Sequence, residues 1–107
     1  MMKLDNQVSV SGQITIEEIA ALAADGVEVV VCNRPDNESA DQTAYELIAE
    51  AAKKCGLQVI NIPFAGGQMQ ADHISEFINV LGSGKRIHAY CRTGNRSSQL
   101  WNAAKQV

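Results

Sequence analysis

Three short runs rich in β-branched residues punctuate this chain: "VEVVVC" ending at Cys32, "LQVINIP" ending at Pro63 and "RIHAYC" ending at Cys91. Between each and the next lies a stretch with helical rather than alternating apolar spacing. That order is restrictive. A strand that leaves through a helix and returns to the same sheet has to run parallel to its predecessor, and the helices must cover the faces of the sheet. The first run is apolar at nearly every position, as in a strand buried on both sides. An earlier run, "QVSVSGQ", alternates Val8 and Val10 with polar neighbours and reads as a short edge strand. The expected fold class is therefore α/β: a central, mostly parallel sheet of about four or five strands with helices on both faces.

The helices carry their own start and stop signals. Thr15 and Glu18 have capping-box spacing ahead of Ile19, Leu22 and Ala23, and Gly26 supplies a stop. Ser39 and Gln42 repeat the spacing, which predicts a second helix opening at Ser39, with Ala44, Leu47, Ile48, Ala51 and Cys55 as its apolar stripe before Gly56. Ile74, Phe77, Ile78 and Leu81 mark a third helix, and Leu100, Trp101 and Ala104 the buried face of a last one. At 107 residues these elements fit one domain spanning positions 1–107.

Charge narrows the function classes. Nine basic and twelve acidic residues give a net charge of −3 with no basic block, so neither nucleic acid nor an anionic membrane is an expected partner, and any anion site must be local. No apolar run approaches the roughly 20 residues of a membrane span, which leads to the expectation of a cytoplasmic protein. Three cysteines, an odd number with no CxxC spacing, argue against a disulfide framework or a zinc site, and no cofactor is implied.

The segment "CRTGNRSS", residues 91–98, sits where a parallel sheet places its ligands, between the carboxyl end of a strand and the start of a helix. Cys91 there experiences the positive end of the helix dipole, which favours thiolate. Gly94 lets the backbone turn so that amides from Arg92, Thr93, Gly94, Asn95, Arg96 and Ser97 can converge as an anion-binding nest. Arg96 can fold its guanidinium over the cavity and offer paired donors, Ser97 can cap the helix or donate to the sulfur, and Arg92 faces outward to attract substrate.

Cys91, Gly94, Arg96 and Ser97 in "CRTGNRS" resemble the active-site loop of single-domain rhodaneses, in which a cysteine carries a persulfide. The segments "GQITIEEIAALAADGVEVVVCNRPDNES" and "AAKKCGLQVINIPF" instead resemble the opening of dual-specificity phosphatases. The combination, with the tryptophan of "RSSQLW", is similar to the phosphatase-like domain of the beta-lactamase hydrolase-like proteins, over about residues 10 to 103. The resemblance implies a cysteine-phosphatase-like topology and a phosphatase or sulfurtransferase activity. One departure bears on the chemistry. The phosphatase pattern has five residues between cysteine and arginine, whereas Arg96 follows Cys91 after four and Ser97 stands in the usual arginine place.

That shorter loop favours sulfur transfer through a Cys91 persulfide, from an anionic donor such as thiosulfate or a persulfide to a thiol acceptor. The alternative is a phosphatase that attacks a phosphate ester and forms phosphocysteine, with Asp72, or after it Asp36, as the general acid. A non-catalytic module that binds phosphate or sulfate in the same loop is a third reading, and the oligomeric state, a homo-oligomer included, stays open. Arg34 either leans toward the anion site or is a turn residue paired with Asp36 or Glu38. His88 reads as buried and structural, His73 as a surface residue, and Cys32 and Cys55 as core. "FAGGQMQ" reads as a lid or specificity loop in which Phe64, Gln68 and Met69 either touch substrate or fill a crevice.

Overall fold

A computed structural model describes residues 1–107. The elements run β1 (Met2–Lys3), β2 (Val8–Ser11), α1 (Ile16–Ala24), β3 (Val29–Cys32), α2 (Tyr45–Lys54), β4 (Gln58–Asn61), α3 (Ala71–Leu81), β5 (Ile87–Tyr90) and α4 (Asn95–Lys105). They form one five-stranded sheet in the order β1-β2-β5-β3-β4, parallel throughout except for the antiparallel β1. The α/β expectation holds.

Period-two alternation divides the core cleanly. Val8, Val10, Val29, Val31, Ile87 and Ala89 turn to one face and pack with Phe77 and Val80 of α3 and Leu100 and Ala104 of α4. Val30, Cys32 and Tyr90 turn to the other and meet Ile19 and Leu22 of α1 and Ile48 and Ala52 of α2. The central strand β5 thus lies between strands whose following helices leave on the opposite face, and a crevice opens beyond their carboxyl ends. Cys91 follows β5 directly, at that crevice.

The start of α1 is as expected: Glu18 N–H donates to Thr15 Oγ1 at 3.3 Å and Thr15 N–H to Glu18 Oε1 at 2.9 Å. The start of α2 is not. The Ser39–Gln42 box does not form, because the Ser39 hydroxyl donates to Asp41 while the Gln42 amide accepts from Glu38 N–H and donates to Pro35 O. The helix begins six residues later at Tyr45, whose N–H is taken by Asp36 Oδ1 at 2.9 Å. Its buried face shifts with it, to Ile48, Ala49 and Ala52; Leu47 is 49% exposed and Cys55 is an exposed C-cap, not core. Nor is β2 an edge, since Met2 and Lys3 pair with Val10 and Ser9 and cover its outer side.

Candidate active site: a thiol in a backbone cradle

The loop after β5 is braced from below by the end of β2. Cys91 N–H donates to Ser11 O and Gln13 N–H to Arg92 O, each at 3.3 Å. A Cβ on Gly12 would lie 2.8 Å from Arg92 O, so only glycine permits that approach. Gly94, the N-cap of α4, has φ +95°, the left-handed region that suits glycine, and a Cβ there would also meet Ser11 backbone at 3.3 Å. Ser11 is held in turn by His88. The Ser11 hydroxyl donates to Gly12 O, so at 2.8 Å it accepts from His88 Nε2–H, and Ser9 Oγ donates to Nδ1 at 2.7 Å. His88 is fully buried in its neutral form, and desolvation drops its pKa to about 4. It is a brace beneath the loop, as the sequence suggests.

Within the loop, Gly94 N–H points at Cys91 Sγ at 3.0 Å. Burial pushes the Cys91 thiol up, but the N–H groups of Ser97, Thr93 and Gly94 and the Ser97 hydroxyl outweigh it and bring the pKa below the ordinary thiol value. The nest is narrower than the sequence suggests, because Asn95 N–H turns instead to Thr93 Oγ1 at 3.3 Å. Arg92, Thr93 and Asn95 are exposed, while Gly94 and Ser97 are buried. A cleft of about 320 Å³ runs beside the loop between Ser11, Gly12, Thr93, Asn95 and Ser98, but neither Cys91 nor Arg96 lines it.

Two residues at the site escape a reading of the sequence as motifs. Asn33, fully buried just after β3, donates from Nδ2 to Ile62 O at 2.9 Å and accepts the Ser97 hydroxyl at 2.8 Å. The Ser97 hydroxyl donates to Asn33 and also lies near enough to the Cys91 sulfur to favour its thiolate. Glu38 grips Arg96 end-on, with Nη1 to Oε2 and Nη2 to Oε1 each 2.8 Å, and a second Nη1 donor reaches Phe64 O at 3.0 Å. Arg34, 4% exposed, donates from Nε to the same Glu38 Oε1 at 3.1 Å and from Nη1 to Gln13 at 3.0 Å. Arg34 is therefore joined to the site through Glu38. Hydrogen bonding from Arg96, ahead of the opposing effect of burial, and from Arg34 holds the Glu38 carboxyl below its usual pKa, and Glu38 raises that of Arg96.

Neither aspartate hydrogen-bonds the Cys91 loop. Asp72 is exposed in the first turn of α3 with no hydrogen bond to the loop, and Asp36 is committed to the start of α2. His73 is more than a surface residue: its Nδ1 accepts from Gln70 N–H at 2.8 Å and its ring stacks on Phe64 with centroids 5.0 Å apart. Phe64 is buried and Met69 packs on the core, so both fill a crevice while Gln68 is exposed. Cys32 lies among Val30 and Tyr90 on the α1–α2 face and donates to Arg34 O at 3.3 Å. No three or more His, Cys, Asp or Glu side chains gather as metal ligands, and no helix is long and apolar enough to cross a membrane.

A thiol held by backbone amides between a central parallel strand and a helix N-terminus is the architecture of cysteine phosphatases. The active form of the phosphatase Tk-PTP shares this fold, with TM-score 0.67 at 18% identity, over 86% of this chain and 61% of that one. The chain belongs to the phosphatase-like domain family of the beta-lactamase hydrolase-like proteins, whose model matches residues 1–107. A beta-lactamase hydrolase-like protein of Xylella fastidiosa is 22% identical over 108 residues; the match covers 100% of this chain, which spans about a quarter (25%) of that relative's length. A Neisseria meningitidis protein provisionally designated a phosphatase is similar at 30% identity and TM-score 0.85, over 94% of this chain and 72% of the other.

Proposed function

We propose that this domain is a cysteine-dependent enzyme acting on small anions, and that its reaction is phosphatase-like hydrolysis through a phosphocysteine. The observation that carries this reading is the Cys91 sulfur beneath inward N–H groups in a phosphatase-like domain. In this mechanism the Cys91 thiolate attacks phosphorus in line. The amides of Thr93, Gly94 and Ser97, with Arg96, hold the non-bridging oxygens, and Ser97 steadies the thiolate as it leaves. The ester P–O bond breaks with its electron pair on the departing oxygen. Water then hydrolyses the phosphocysteine, releasing phosphate and restoring the thiolate.

The surroundings limit the substrates. Glu38, the carboxylate bound to Arg96, is held ionised and has no proton to give, and the loop 63–70 carries no acid. Phosphoryl compounds with weakly basic leaving groups, such as aryl phosphates and acyl phosphates, suit this site.

The second reading, sulfur transfer, is favoured by the four-residue spacing from Cys91 to Arg96 and by its independence of a general acid. Here the thiolate attacks the outer sulfur of thiosulfate, the S–S bond breaks, sulfite departs, and a thiol acceptor later removes the sulfur from the Cys91 persulfide. The deciding experiment combines aryl-phosphate turnover with intact-mass analysis after thiosulfate, for wild type and Cys91→Ser. Cys91-dependent phosphate release without a sulfur adduct supports the phosphatase. A reductant-reversible gain of one sulfur without phosphate release replaces it with sulfur transfer. Silence in both, with anion affinity retained in Cys91→Ser, leaves a binding module.

A further inference from the structure

The donors of Arg96 can be accounted for one by one. A guanidinium has five N–H groups in a rigid plane. Nη1 spends both of its own, on Glu38 Oε2 and Phe64 O, and Nη2 spends one on Glu38 Oε1. What remains is Nε–H and the outer Nη2–H, two parallel donors on one edge of the plane. That edge is the one able to take two oxygens of an anion side by side. Glu38 is itself fixed: Arg34 Nε holds Oε1, Gln13 holds Arg34, and Glu38 N–H is tied to the Gln42 side chain. The run Gln13–Arg34–Glu38–Arg96–Phe64 links the end of β2, the loop after β3 and the loop after β4 to the start of α4.

We propose that Glu38 is the positioning residue of this site: with the Phe64 carbonyl it grips the end of the Arg96 guanidinium and presents the free Nε/Nη2 edge to the bound anion as a pre-oriented pair. The inference rests on reading the Cys91 loop as an anion cradle and holds for either reaction there. It also assigns a role to Arg34, which orients Glu38 and never touches substrate. Two arginines against one carboxylate leave a single net positive charge facing the loop, enough to balance the Cys91 thiolate or one charge of an oxyanion. Free rotation of Arg96 would have to be frozen at each binding event; the clamp has frozen it beforehand.

The test is tungstate binding by calorimetry, with the Cys91 thiol titrated in parallel by ultraviolet thiolate absorbance against Cys91→Ser. Glu38→Asp keeps the charge but, one methylene shorter, cannot reach both Nη atoms. Glu38→Gln keeps the reach but replaces one acceptor with an opposing donor. Both variants are expected to bind tungstate about tenfold or more weakly. The thiol titration is the internal control, because removing a negative charge beside the loop does not raise the Cys91 pKa. Weaker binding by Glu38→Gln with an unraised thiol pKa is therefore a loss of orientation. A merely structural Glu38 would lower the melting temperature and leave the affinity of the folded protein unchanged. Tungstate affinity of Glu38→Asp within about twofold of wild type, or tighter binding by Glu38→Gln, would overturn the clamp, as the charge would then be its only contribution. Failure of the wild type itself to bind tungstate would overturn the cradle, and the clamp with it.

Discussion

Replacing Asn33 with alanine tests how far the loop depends on a residue that never meets substrate. The side chain is fully buried and makes two hydrogen bonds, from Nδ2 to Ile62 O at 2.9 Å and from the Ser97 hydroxyl at 2.8 Å. In Asn33→Ala the Ile62 carbonyl loses that donor, and an unsatisfied buried polar group costs about 1–3 kcal/mol. Loss of the amide's packing adds about 1 kcal/mol. Ser97 is compensated, because its hydroxyl can turn wholly to the Cys91 sulfur. The expected destabilisation is about 2–4 kcal/mol, a shift of about 1–2 M in the urea midpoint for a slope on the order of 2 kcal/mol per M. The Cys91 pKa, read by ultraviolet thiolate absorbance in the folded variant, should not rise. A midpoint shift below roughly 0.3 M would show that the Ile62 carbonyl finds another partner. A raised thiol pKa would show that Asn33, and not Ser97 alone, supports the thiolate.

Further expectations follow from the same geometry. His88 has a folded pKa of about 4 against 6.5 for a free histidine, so the unfolded chain binds the extra proton first. Stability should therefore fall as pH drops from 6.5 toward 4, by a total on the order of 3 kcal/mol, and this slope should be shallower in His88→Gln, as measured by urea melts across that range. Gly94→Ala forces a side chain into φ +95° and against Ser11, and should lower the melting temperature and the tungstate affinity together; unchanged affinity would remove Gly94 from the cradle. Asp72→Asn should leave aryl-phosphate turnover within about twofold and its pH profile without a lost basic limb, and a larger fall would reinstate Asp72 as the acid.

How much the sequence discloses depends on whether a feature is local. The α/β fold is readable because each strand and helix carries its own periodicity, and the Thr15–Glu18 cap because both partners sit in one turn. The same spacing misleads at Ser39, where Asp41 and Pro35 offer nearer partners and Asp36 caps a helix nine residues further on. The stripe of α2 is misplaced by one position, because Leu47 is exposed while the smaller Ala49 and Ala52 face the core beside Ile48. Cys91, Gly94 and Ser97 are legible as one contiguous loop. Asn33 and Glu38 are not, because they reach Ser97 and Arg96 across 64 and 58 residues of chain, and no spacing rule encodes that contact. β1 is two residues long and has no periodicity to read.

The loop amides favour the Cys91 thiolate over the thiol, and this is tested by titrating Cys91 through ultraviolet thiolate absorbance, wild type minus Cys91→Ser, with Ser97→Ala alongside. The account predicts a Cys91 pKa below that of a free thiol, about 8.5, moving upward in Ser97→Ala as a donor to the sulfur is lost. A Cys91 pKa at or above the free-thiol value would mean that burial outweighs the loop amides, and would contradict a nucleophilic Cys91 in either chemistry.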